Sequence, residues 1–86
     1  MKIGVGLLVE LILYGKPDCD LCDRLEAMVK PLADVRGLTL VKRNIEDGPS
    51  WVARYRYRIP VLTCGDQVIL EGRPKSDDVA HALEQL

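Results

Sequence analysis

Hydrophobic spacing along the chain changes several times, and each change predicts an element. Val9 to Tyr14, "VELILY", is a nearly continuous Leu/Ile/Val run closed by Gly15 and Pro17, the pattern of a strand buried on both faces. Residues 1–8 either lengthen that strand or form a frayed N-terminal extension. From Asp20 the period becomes helical. Leu21, Leu25, Met28, Val29 and Leu32 share one stripe, and Asp23, Arg24, Glu26 and Lys30 occupy the other side. Pro31 removes a backbone donor and collides with the preceding turn, which predicts a kink or an early end, with Gly37 as the last stop.

Residues 38–45, "LTLVKRNI", read as a second strand. The turn "EDGPS" then offers Asp47 or Ser50 as a cap and Pro49 in the first turn of a short helix carrying Trp51, Val52 and Tyr55. After Pro60, "VLTC" is a third strand, "CGDQ" signals a hairpin, and "VIL" is its partner. Ser76 is expected to cap a last helix. Asp77 and Asp78 stand in its first turn, where the helix dipole favours carboxylates, and Val79, Ala82, Leu83 and Leu86 form its buried stripe. The order is βαβαββα. A strand–helix–strand start requires a parallel crossover, and the tight turn at residues 65 and 66 requires an antiparallel pair. The fold class is therefore α/β, a mixed four-stranded sheet flanked by helices, with residues 1–86 as one domain.

Eighty-six residues are near the size at which one apolar core just stabilises a fold. A net charge of −1 gives no overall attraction to nucleic acid or anionic lipid, so charged recognition must be local. The apolar start has Glu10 inside it, one nearby positive charge and no small-residue cleavage site, so neither export nor a membrane span is expected. Three cysteines are an odd number for a stapled secreted scaffold. A cytosolic monomer is expected, and a close thiol pair there points to catalysis or metal rather than a structural staple.

That pair is Cys19 and Cys22, in "PDCDLCD". The layout puts Cys19 where the first strand gives way to the first helix and Cys22 one turn further on. Unsatisfied N–H groups and the positive end of the dipole stabilise a thiolate there, and thiolate is the nucleophile of disulfide exchange. A spacing of three puts both sulfurs on one side of a helix, within reach of each other. Cys19 would attack and Cys22 would resolve the mixed disulfide.

With these residues in view, the sequence resembles the thioredoxin superfamily, most closely its small glutaredoxin-like branch. "LYGKPDCDLC" is similar to the glutaredoxin active-site segment in its strand, its aromatic residue, the Lys three positions before the first Cys and the two-residue gap. "RIPVL" resembles the family's cis-proline segment, with Pro60 facing the cysteines, and "EGRPKSDD" is a looser echo of the stretch before the last helix. The resemblance runs from about Val9 to Leu86 and implies a thioredoxin-like fold and a thiol–disulfide oxidoreductase. It also implies glutathione as a co-substrate, held by Lys16, the backbone of Ile59, and Asp77 with Asp78, while no cofactor is expected to be bound. A disulfide-bearing protein and a glutathione mixed disulfide are both expected partners. Arg73, Pro74 and Lys75 depart from the pattern before the last helix. Asp20 and Leu21 stand between the cysteines where glutaredoxins usually have Pro and Tyr.

Asp18, Asp20 and Asp23 surround the thiols. At ~7 Å and an effective dielectric near 50, each carboxylate disfavours the thiolate by roughly 1 kcal/mol. Lys16 and the dipole oppose them, and the expected balance is a less acidic Cys19 and a more reducing couple. Buried packing and half a zinc site are the rival readings of the pair. Cys64 is expected about 13 Å from the active end of the sheet, and His81 lies on the last helix, so a four-ligand site within one chain is disfavoured. The alternative function is a non-catalytic binding module, in which two chains bridge a metal or iron–sulfur cluster through Cys19 and Cys22. "RYRYR", residues 54–58, reads as an exposed helix end and exit loop. Within it, Arg58 is a candidate for an anionic group of the substrate.

Overall fold

Glu10–Gly15 form the first strand, β1, in a computed structural model that describes residues 10–86. Along β1 the side chains alternate. Leu11 and Leu13 are buried on one face, and Ile12 and Tyr14 are half-buried on the other. The expected double burial is thus complete on one side only. Val9 and the extension 1–8 lie outside the described residues.

The first helix, α1, spans Asp20–Arg36 and buries Cys22, Leu25, Val29 and Ala33. Pro31 does not end it. Both Pro31 and Ala27, four residues earlier, are exposed, so the carbonyl deprived of a donor belongs to the outer face while the buried stripe continues past it. Termination falls at Gly37, whose φ of 70° is left-handed. There the Leu38 N–H reaches the Ala33 carbonyl at 2.9 Å and closes the helix end.

Strand β2 (Thr39–Asn44) leads into a 3-10 turn at Ile45–Asp47, and α2 occupies Pro49–Tyr55. The expected cap from Asp47 or Ser50 is not formed. Gly48 takes the cap position and, having no side chain, makes no side-chain hydrogen bond; the Trp51 ring folds back to where one would stand. A Cβ on Gly48 would lie 2.8 Å from the Trp51 ring. Strands β3 (Val61–Cys64) and β4 (Gln67–Glu71) form the expected hairpin, with a register shift between Leu62 and Thr63 that the sequence pattern did not announce. The last helix, α3, spans Ser76–Glu84. Its cap is Lys75 rather than Ser76. The Asp78 carboxylate accepts the Lys75 N–H at 3.0 Å, so a carboxylate reaching back replaces the hydroxyl reaching forward. Leu86 falls beyond the helix end and is 46% exposed, outside the predicted stripe.

The four strands lie in the order β2-β1-β3-β4, with β1–β2 parallel and the other two pairs antiparallel. Leu11, Leu13, Leu25, Val29, Leu62, Val79 and Leu83 pack together where α1 and α3 cover one face. On the other face Ile45, Tyr55 and Val61 are covered by Tyr14, Trp51, Ile59 and Val68. Central strand β1 belongs to both layers, and its C-terminal end runs straight to the tip of α1. Gly15 makes that approach possible, because a Cβ there would meet the Cys22 sulfur at 2.8 Å.

Two substitutions test this packing. Leu25→Ala, at a site 1% exposed, is expected to lower unfolding free energy by about 2–5 kcal/mol. Gly15→Ala is expected to cost about 1–3 kcal/mol by forcing Cys22 aside. Denaturant midpoints measure both.

Candidate functional site

The chain leaves β1 at Gly15 and turns through Lys16, Pro17 and Asp18, all exposed. Asp18 has a φ of 57°, a left-handed conformation that Asp tolerates better than most residues. Cys19 then caps α1 in extended conformation, and its sulfur accepts the Cys22 N–H at 3.2 Å. One of the helix's unsatisfied donors is therefore aimed at sulfur, as the sequence position of Cys19 predicted. The Asp23 N–H closes the first turn on the Cys19 carbonyl at 3.1 Å.

Cys19 and Cys22 are joined as a disulfide, with their Cα atoms 5.2 Å apart. The two sulfurs are unequal. Cys19 is half-buried at the helix tip, whereas Cys22 is 6% exposed and packs on Gly15. An incoming group can reach the first more readily than the second.

The Ile59–Pro60 peptide is cis, and Pro60 is fully buried. Tyr14 pairs with Val61, so Pro60 comes one residue beyond the ladder, level with Gly15 and next to the turn that carries Lys16. Ile59 is half-buried. Sequence order alone had separated these residues from the cysteines by some forty positions, and strand pairing brings them to one end of the sheet.

Beside Cys22 a cavity of about 210 Å³ opens between α1 and β2, lined by Gly15, Lys16, Cys22, Glu26, Lys42 and Asn44 among others. Lys42 meets Glu26 across it at 3.0 Å. Sequence reasoning assigned Lys42 and Glu26 only to their elements. Cys22 and Glu26, one helical turn apart, were a signal for a shared face; the β2 contribution depends on the register Leu13 with Lys42.

The remaining candidates belong to other elements. Asp78 holds the α3 cap and Asp77 is exposed beside it. Arg58 donates through two nitrogens to the two carboxylate oxygens of Glu71, each at 2.8 Å. Those hydrogen bonds hold the Glu71 carboxyl below the usual carboxylate range and raise Arg58 above its ordinary value. Because the folded value is depressed, the pair's contribution is complete above the ordinary carboxylate range and disappears as pH falls through the lowered one. Tyr55, inside the arginine run, is 5% exposed and packs on Tyr14 with ring centroids 4.7 Å apart, so that run is not wholly surface. Cys64 is free and pairs with Leu11 at the far end of β1, and His81 is exposed on α3. Neither joins the thiol pair. Among the described residues no helix is long and apolar enough to cross a membrane.

Known proteins agree with this architecture. The chain is similar to protein Ne2328 of Nitrosomonas europaea, at 25% identity over 85% of this chain and 88% of that one, with a TM-score of 0.72. A mutant thioredoxin from Halobacterium salinarum superposes with a TM-score of 0.64 at 23% identity, over 90% of this chain and 73% of that one. The germline-specific thioredoxin Deadhead of Drosophila melanogaster gives 0.64 at 16% identity, over 98% and 87%. These establish an α/β thioredoxin-like fold. Residues 10–84 match the family described as "Glutaredoxin-like domain (DUF836)". The match takes in both the thiol pair and the cis-proline segment, and this chain belongs to that glutaredoxin-like family.

Proposed function

We propose that the protein is a thiol–disulfide oxidoreductase in which Cys19 is the nucleophile and Cys22 the resolving thiol. The observation that carries this reading is the Cys19 sulfur at the tip of α1, accepting a backbone N–H, with the Cys22 sulfur at disulfide distance behind it. In the reduced protein the Cys19 thiolate attacks one sulfur of a substrate disulfide. A bond forms from Cys19 to that sulfur, and the other substrate sulfur leaves as a thiolate that takes up a proton. Cys22 then loses its proton and attacks the Cys19 sulfur, closing the internal disulfide and releasing the second substrate thiol. Two electrons pass from the dithiol to the substrate. A protein dithiol or glutathione restores the reduced pair by the same exchange in reverse.

Accessibility supports the division of labour. The half-buried sulfur meets the substrate, and the buried one is kept for an intramolecular step whose partner is already in place. Ile59 and Pro60, level with the turn, would on this reading make the opposite wall of the substrate groove, and Lys16 would offer a cation on its rim. On this reading Asp77 and Asp78 are helix-start residues first, and any contact with glutathione there is secondary to the cap.

Reduction of insulin disulfides and of a glutathione mixed disulfide tests the proposal. Cys19→Ser is expected to fall to the uncatalysed rate. Cys22→Ser is expected to accumulate a mixed disulfide on Cys19, visible as added mass under non-reducing conditions. A wild type no faster than Cys19→Ser would instead favour a binding module that keeps the fold. The acidic surroundings give a second prediction. Neutralising one carboxylate in Asp20→Asn is expected to speed alkylation of reduced Cys19 at neutral pH by about two- to threefold, since roughly 1 kcal/mol of repulsion is removed and the less basic thiolate is somewhat less nucleophilic. An unchanged alkylation rate would show that the carboxylate is screened from the sulfur.

A further inference from the structure

The exit from α2 is tied to the end of β4 more firmly than the hairpin requires. Arg58 stands two residues before Pro60, and Glu71 stands opposite Val61 in the ladder. The fork of two 2.8 Å hydrogen bonds between them fixes orientation as well as distance. The next residue, Gly72, donates its N–H to the Pro60 carbonyl at 2.8 Å. Guanidinium to carboxylate, N–H to carbonyl, and strand pairing thus hold residues 58–61 against residues 71 and 72. From behind, the Arg58 guanidinium lies over the Tyr55 ring at 5.6 Å, and Tyr55 is itself set into the second core layer. Both partners of the fork are exposed, and exposed pairs contribute little to global stability. Local order in this loop is what such a pair can supply.

We propose that Arg58 and Glu71 form a clamp that positions the Ile59–Pro60 wall for a substrate disulfide, so that Arg58 acts through the loop and does not itself hold an anionic group of the substrate. Both carboxylate oxygens of Glu71 are engaged by Arg58, and releasing either partner leaves the loop held by the Gly72–Pro60 hydrogen bond and the Val61–Glu71 pairing. The inference rests on the dithiol reading, because the wall matters only if a substrate disulfide lies against it. Arg58 and Glu71 are therefore positioning residues.

The test compares Arg58→Gln, Glu71→Gln, the double variant, and the exchanged pair Arg58→Glu with Glu71→Arg. Gly72 amide exchange is read by NMR, insulin-disulfide reduction by steady-state kinetics, and Cys19 reactivity by iodoacetamide. Each single variant is expected to speed Gly72 exchange and to raise KM by about two- to fivefold, the range open to an exposed pair. The double variant should be no worse than either single one, and the exchanged pair should recover most of the loss. The value of kcat and the Cys19 alkylation rate should stay at wild-type level, a pattern that general loosening of the fold would not give. Unchanged Gly72 exchange in Glu71→Gln overturns the clamp. So does a lower KM in Glu71→Gln with a higher one in Arg58→Gln, which would mean that Glu71 competes with the substrate for a directly binding Arg58. A wild type inactive on every disulfide would refute the dithiol reading, and Gly72 exchange would then decide the clamp by itself.

Discussion

The contact between the backbone of Gly15 and the sulfur of Cys22 governs the arrangement of this molecule. Central strand β1 must end close enough to the first turn of α1 for a turn of three residues and a cap to join them, and any side chain at position 15 would occupy the place of the sulfur. With that approach secured, the cap falls on Cys19 and the second cysteine is pressed inward one turn later. The inequality of the two sulfurs follows from packing at a single glycine. It needs no special group beside either thiol.

The same end of β1 organises the second half of the chain. Because β3 runs antiparallel to β1 from Tyr14 opposite Val61, whatever precedes Val61 arrives beside the turn that follows Tyr14. Pro60 occupies that place, fully buried, with its carbonyl bound by Gly72. The α2 layer supports the loop from below through Tyr14, Trp51 and Tyr55, whose rings pack at 5.5 and 4.7 Å around Tyr14. Helix tip and proline loop are thus both anchored at the C-terminal end of the central strand.

Helix termini here show how local chemistry yields to neighbours. Gly48 serves as a cap with no side chain and leaves its space to the Trp51 ring, while Lys75 is capped by Asp78 three residues ahead. Pro31 lies inside α1 because the buried stripe of Leu25, Val29 and Ala33 spans it and its missing donor faces outward. At Pro31 burial of apolar surface outweighs a single backbone hydrogen bond, whose net contribution is about 1 kcal/mol.

Periodicity, turn residues and cysteine spacing by themselves determined the order of elements, the parallel crossover, the hairpin and the position of Cys19 at a helix start, since these depend on neighbours within a few residues along the chain. Only the tertiary structure decided which cysteine is buried, that Lys42 faces Glu26 beside it, and that Arg58 is engaged by Glu71. Those relations join residues 7 to 16 positions apart through strand register and close packing. A pattern read along one dimension has no term for which side chain occupies a shared space first.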